Sequence, residues 1–441
     1  MKEERKSVGQ LFVPLCFEIF CYMLAGMVDT FMLSSVGDDA VGAVGTANTY
    51  LNMFIIMFSI ISSGMIAVVT QYIGANRVGV AYQAKRVGTM FNGVFGIVLS
   101  LFMFFGADFI LKVVGVAPSL MEYTKTYVQI VGGCCFINAL VPIYSSYLRA
   151  FGYTKEPMTA TIVANVLNLV LNAVFLFGFE MGVAGVALAT VISRAVNLIV
   201  VIWVSRRLNY TKENQERVRN REIFGQIIKI GLPSAMETAL YNFAMTLMIR
   251  FLNQMDAEGL NVTARSYANL IATLSYCVGA ALSQANAIVT GWRIGAGEYE
   301  ECDKGTRRVA AVGILVAIAV SSVVAFFAKP IIGLFSDDAE LINLVAKLLT
   351  IDIFLEVGRV SNLIYGQALK TSGDALYTTI IASVFMFVCA VAGTYFFGIY
   401  LGMMAVGAYI ALASDECVRA ICMYLRWRSG RWREKSLIRK N

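Results

Sequence analysis

The sequence predicts an all-α polytopic membrane protein, with twelve transmembrane helices in two six-helix bundles related by a pseudo-two-fold axis along the membrane normal. Three observations predict it. The 441 residues are 58% hydrophobic and only 15% charged, with a positive mean hydropathy, a balance foreign to soluble globular domains. Apolar runs long enough to cross a bilayer recur along the whole chain, without the alternation of barrel strands. The second half also repeats the first at a shift of roughly 220 residues, the mark of an internal duplication.

The runs, punctuated by Gly, Pro and charge, place spans near 11–34, 43–70, 87–114, 124–148, 158–178 and 183–205, then 226–252, 262–290, 309–335, 341–368, 376–398 and 402–425. The first, from Leu11 to Ser34, holds Pro14, Glu18 and Asp29 inside an otherwise apolar stretch. A carboxylate at membrane depth is expensive and marks an ion or substrate path by default. Three helical turns separate the two acids, so they share one side of the helix about 16 Å apart. The fifth span carries Asn165, Asn168 and Asn172 on one face, given steps of three and four. Thr190 on the sixth returns to the depth of Asn172 and Asp29.

One carboxylate, two amide oxygens and a hydroxyl suit a hard cation or a proton. Asp29, Asn168, Asn172 and Thr190 are therefore the candidate cation-coupling residues, with Na+ a candidate ligand of Asp29, Asn168 and Asn172. The alternative is that the amides and hydroxyl only join helices by hydrogen bonds. In the second half Glu237 lies near mid-membrane, and the tenth span holds Asp352, Glu356 and Arg359. Glu356 and Arg359 stand at i, i+3, the spacing of an ion pair. Asp415, Glu416 and Arg419 form a similar group on the last span.

The duplication is read from Gly9-Gln10 against Gly225-Gln226, Pro14 and Glu18 against Pro233 and Glu237, IGAN from Ile73 against IGAG from Ile294, Leu148-Arg149 against Leu369-Lys370, and Gly178 with Gly182 against Gly398 with Gly402. It divides the chain into an N-lobe at 1–205, a cytoplasmic linker at 206–224, a C-lobe at 225–425 and a basic tail at 426–441. Six spans per half give the copies one orientation, so a substrate cavity is expected at their interface. Glu18, Glu237, Glu356 and Arg359 are its charged candidates.

Other classes are narrowed by what is missing. The nine Cys form no C-x-x-C pair, His is absent, and no phosphate-binding G-x-x-x-x-G-K-[ST] occurs, so neither a disulfide framework nor nucleotide hydrolysis is expected. Lys and Arg crowd into the N-terminal stretch, alternate loops and the tail, RWRSGRWREKSLIRKN. The positive-inside rule reads this as a multi-pass protein of the cell (inner) membrane with both termini cytoplasmic, its basic residues facing lipid rather than nucleic acid. No cleavage site follows the first apolar run, which reads as a retained helix. No cofactor is expected, only Na+ or H+ as a coupling ion, and the chain reads as a monomer that is not an enzyme.

In the same order along a duplicated chain stand VDTFML from Val28, AVGAVG from Ala40, TQYIGA from Thr70, LRAFGYTKEP from Leu148, NVLNLVLN from Asn165, GVAGVALATVISR from Gly182, GLPSAMETAL from Gly231 and GQALKTSGD from Gly366. Together they resemble the multidrug and toxic compound extrusion family, bacterial type. The resemblance implies two bundles around a central cavity and export of organic, often cationic, compounds against entering Na+ or H+. It sets the family's N-lobe cation site on Asp29, Asn168, Asn172 and Thr190, and its helix-seven carboxylate on Glu237. The helix-ten carboxylate falls instead on Arg359, with Glu356 one turn earlier, so coupling through the N-lobe is expected. Two alternatives stay open: a flippase for lipid-linked sugar precursors, which would need a cationic cavity, and a non-transporting membrane receptor.

Overall fold

Without water to bond to, the backbone of an apolar segment satisfies itself, and in this chain it does so as helices. The computed structural model describes residues 5–208, 218–255 and 259–438. Most of the expected linker, at 209–217, lies outside the described residues, as do the first four residues and the last three.

The first half contains α1 (Val8–Ser34), α2 (Asp38–Gly74) and α3 (Val78–Val114). Next, α4 runs as Met121–Tyr127, a π turn at Val128–Gly132 and then Cys135–Ala150, bending by 45°. α5 is Lys155–Ala173 with a terminal π turn at Val174–Gly178, and α6 is Gly182–Arg207. The second half contains α7 (Asn220–Met255), α8 (Leu260–Ala296) and α9 (Tyr299–Phe326), then α10 (Ala339–Ser372). α11 is Ala375–Phe385 continued by π turns at Met386–Val391 and Thr394–Tyr400, and α12 is Met404–Arg428.

Among the described residues seven of these helices are long and apolar enough to cross a membrane by composition alone, or eight if the bent α4 counts as one span. The other four, α7, α8, α10 and α12, carry the polar load of the second half. Asn261, Ser275, Ser283 and Asn286 on α8, Asp352 and Glu356 on α10, and Asp415, Glu416 and Arg419 on α12 are all buried. Their polar faces turn inward and lower the mean hydropathy of helices whose outer faces stay apolar.

The backbone repeats with the sequence. Asn76 after α2 and Gly297 after α8 both have positive φ, as do Gly152 after α4 and Gly373 after α10. At Gly373 a side chain is doubly excluded: φ is +103°, and a Cβ would lie 2.4 Å from the carbonyl of Lys435, so glycine closes this helix.

The chain separates into two compact units, with boundaries between Lys6 and Ser7 and, beside the two prolines that the duplication pairs, after Phe12 and after Ala235. Unit 1 comprises Met1–Lys6 and Val13–Ala235, unit 2 Ser7–Phe12 and Met236–Asn441. Unit 1 therefore owns the first half of α7, where Ile223, Ile227 and Ile230 are buried and Phe224 meets Phe91 at 4.7 Å between ring centroids. A Cβ on Gly231 would lie 1.7 Å from the carbonyl oxygen of Ile60, and one on Gly64 2.1 Å from that of Ile227. α2 and α7 thus touch backbone to backbone, as small residues allow.

Unit 2 owns the first turn of α1, whose Val8 and Phe12 pack on a cluster containing Tyr365, Trp427 and Trp432. Part of the basic tail is folded here rather than trailing. Arg431–Lys435 form a 3-10 turn, Trp432 stacks on Trp427 at 4.2 Å, and the Trp427 indole donates to Asp303 at 2.8 Å.

Candidate functional site

In unit 1, α1 offers its acids to α5. The amide nitrogen of Asn172 donates to Oδ1 of Asp29 at 2.8 Å and to Oδ1 of Asn168 at 3.2 Å. Asn168 is 7% exposed and Asn172 fully buried. With its nitrogen committed twice, Asn172 leaves its own Oδ1 buried and without a hydrogen-bond partner among the described residues. A buried acceptor left in this way is costly, and a cation seated beside Asp29 would relieve the cost. The donor set thus fits a small cation.

Thr190 is buried on α6, where its hydroxyl donates to the carbonyl of Val186 at 2.9 Å. Among the described residues it makes no hydrogen bond to the other three, and the Tyr127 phenol of α4 stands within electrostatic reach of both Thr190 and Asp29. The Tyr127 hydroxyl lies 3.4 Å from Oδ1 of Asn48, to which it donates. Arg194, one turn beyond Thr190, donates to Oδ1 of Asn138 at 3.2 Å, and its charge acts on Asp29.

Sequence reasoning passed over Tyr127 and Arg194. The signal for Arg194 was present, since an arginine inside an apolar span is a functional candidate by default and i+4 sets it on the face of Thr190. No sequence signal singles out Tyr127.

The four charged candidates for a substrate cavity all carry ionic partners. Glu18, 8% exposed, accepts on Oε1 from Nη2 of Arg149 at 2.7 Å and from the hydroxyl of Thr161 at 3.3 Å. Glu237 answers it in unit 2, with Nζ of Lys370 at 2.9 Å and the hydroxyl of Thr379 at 3.4 Å. Glu356, fully buried, is bonded by Arg359, whose Nε also lies 3.8 Å from Glu416. Arg419 closes the network against Asp415 at 2.6 Å and Glu416 at 2.9 Å, and Asn362 donates to Glu416 at 2.9 Å. Unit 1 therefore holds Asp29 against an amide and Glu18 against Arg149, while unit 2 interlocks Glu356, Asp415 and Glu416 with two guanidinium groups.

Comparison with known proteins agrees over the full length. The family model MatE matches residues 14–174 and 233–396. An uncharacterized transporter, YisQ of Bacillus subtilis, is 35% identical, with 98% of this chain and 96% of the relative covered. A probable multidrug resistance protein, NorM of Thermotoga maritima, is 24% identical, with 99% and 95% covered. Among solved structures, a MATE transporter crystallised in its bent conformation superposes with a TM-score of 0.89 at 20% identity, covering 98% of this chain and 96% of that one. With the duplicated twelve-helix fold in place, the chain belongs to the MatE family, the multidrug and toxic compound extrusion transporters of the membrane.

Proposed function

We propose that the chain is a cation-coupled antiporter that exports organic, cationic compounds by alternating access, taking up Na+ or H+ at Asp29, Asn168, Asn172 and Thr190. The observation that carries this reading is the chain of hydrogen bonds from Asp29 through Asn172 to Asn168, with the Asn172 oxygen left as a buried acceptor. A proton neutralises the Asp29 carboxylate; a sodium ion instead draws in the amide oxygens. Either removes the reason for Asn172 to point its nitrogen at Asp29. The pairing of α1 with α5 then changes, and α1 can rearrange at Pro14, where the ring removes one backbone hydrogen bond.

The charge of Arg194 offsets that of the Asp29 carboxylate when no cation is bound. Glu237 adds negative potential for a cationic substrate, tempered by Lys370. The basic loops orient both termini to the cytoplasm of the cell membrane. The protein works as a monomer, with no resident cofactor and no reaction of its own.

The test is efflux of ethidium from proteoliposomes under an imposed Na+ gradient or an imposed pH gradient, comparing wild type with Asp29→Asn. Transport driven by one gradient and lost in the variant supports the reading and identifies the ion. Gradient-driven efflux that survives in Asp29→Asn would sink it.

A further inference from the structure

The polar contacts between α1 and α5 do not stop at Asp29. On α5 the residues at 161, 165, 168 and 172 follow steps of four, three and four, which keeps them on one face. Each meets α1 or the next in line. Thr161 bonds Glu18, Asn165 donates to the carbonyl of Cys21 at 3.2 Å, and Asn172 bridges Asn168 and Asp29. A polar seam therefore runs down the two helices for about 16 Å. At its far end Oε2 of Glu18 is buried without a hydrogen-bond partner among the described residues, as is Nε of the Arg149 that holds its other oxygen.

The duplication supplies an internal control. Counted back from Gly398 as from Gly178, the three asparagines fall on Phe385, Val388 and Ala392; with Glu237 set on Glu18, Asp29 falls on Met248. If the amides served only to hold the helices together, the second half, with the same fold, would need them too.

We propose that the α1–α5 seam is a conduit and that Glu18 is a second stop for a monovalent inorganic cation, H+ or Na+, passing between Asp29 and the Arg149 end of the helix pair. This rests on the coupling reading of Asp29. An ion leaving Asp29 meets amide and carbonyl oxygens at Asn172, Asn168, Asn165 and Cys21, and then the open Oε2 of Glu18. The charges that face the path are Arg194 from α6 beside Asp29, with the Tyr127 phenol from α4, and Arg149 from α4 beside Glu18. Arrival of a cation at Glu18 weakens its hold on Arg149, and the repulsion between that cation and Arg149 drives the ion onward.

Ethidium efflux under Na+ and pH gradients is measured in proteoliposomes for wild type, Asn165→Leu, Asn165→Ser, Glu18→Gln and Asp29→Asn. Equilibrium ethidium binding at varied Na+ and pH is measured alongside. In Asn165→Leu and Glu18→Gln, driven efflux falls by about tenfold or more, since an apolar or uncharged block lies in the polar seam. The Na+- or pH-dependent change in ethidium affinity, which reports Asp29, persists in both. Asn165→Ser restores most of the rate. Wild-type rates in both Asn165→Leu and Glu18→Gln overturn the conduit while leaving coupling at Asp29 intact. If ethidium affinity responds to Na+ or pH equally in wild type and Asp29→Asn, the coupling reading fails and takes this inference with it. Should Asn165→Leu not fold, by its melting profile in detergent, Glu18→Gln decides alone.

Discussion

Unit 1 and unit 2 descend from one repeated pattern, and each pairs one acid with a base, Glu18 with Arg149 and Glu237 with Lys370, yet they hold their other acids in opposite ways. In unit 1 Asp29 is bonded by a neutral amide, and the nearest guanidinium, on Arg194, acts on it through space while bonding Asn138. In unit 2 Glu356, Asp415 and Glu416 each take a guanidinium directly. A carboxylate inside such a network of acids and guanidinium groups has its charge cancelled within the protein and offers little to a cation from outside, whereas, among the described residues, Glu18 of unit 1 has Arg149 alone as an ionic partner. One paired with amides keeps its charge available. On the reading proposed above, unit 1 exchanges ions and unit 2 holds its shape.

The sharpest way to break the comparison is to remove the internal cation from unit 2. Arg359→Ala leaves the fully buried Glu356 without its partner and is expected to destabilise the protein by about 3–5 kcal/mol, whereas Glu356→Leu with Arg359→Met together cost far less. Thermal unfolding in detergent reads both. If the single variant melts like wild type, the network is not what holds unit 2.

The next test turns unit 1 into its counterpart. Asn172→Leu removes a hydrogen bond to a charged group of about 1.5–3 kcal/mol, so the cation dependence of transport should weaken roughly ten- to hundredfold. The reciprocal Ala392→Asn in unit 2 leaves that dependence unchanged. Measuring efflux rate against Na+ and against pH for both variants separates them.

A smaller effect is expected at Gly358, where an added Cβ would lie 2.7 Å from the backbone nitrogen of Cys417. Gly358→Ala should push α12 from α10 and cost about 1–3 kcal/mol, seen as a lower melting temperature. The smallest concerns helix entry. Asp338 accepts from the backbone N–H groups of Glu340 and Leu341 at the start of α10, while α4, its counterpart, begins without a side-chain cap. Asp338→Ala should cost about 1 kcal/mol, again read by melting.

Much of this was legible in the sequence because lipid enforces it. Apolar runs must be helices, and acids inside them must have partners, so the seam residues Asp29, Asn168 and Asn172 could be grouped by depth and spacing alone. What spacing could not supply was the identity of facing helices. Arg149 and Thr161 meet Glu18 only because α4 and α5 both turn toward α1, and Tyr127 reaches Thr190 only across the bend of α4. The start of α7 was missed for a different reason. Residues 220–224 read as the end of a polar linker, but Ile223 is fully buried and Phe224 packs at a tilt against Phe91, so packing overrides composition.

The boundaries after Phe12 and Ala235 have a consequence for either half taken by itself. A gene encoding only one half would specify a subunit whose first helix begins in someone else's core. The buried isoleucines of α7 complete the body of the preceding repeat, and Val8 with Phe12 complete that of the following one. Either half expressed alone would therefore lack a stretch of helix that its own core buries.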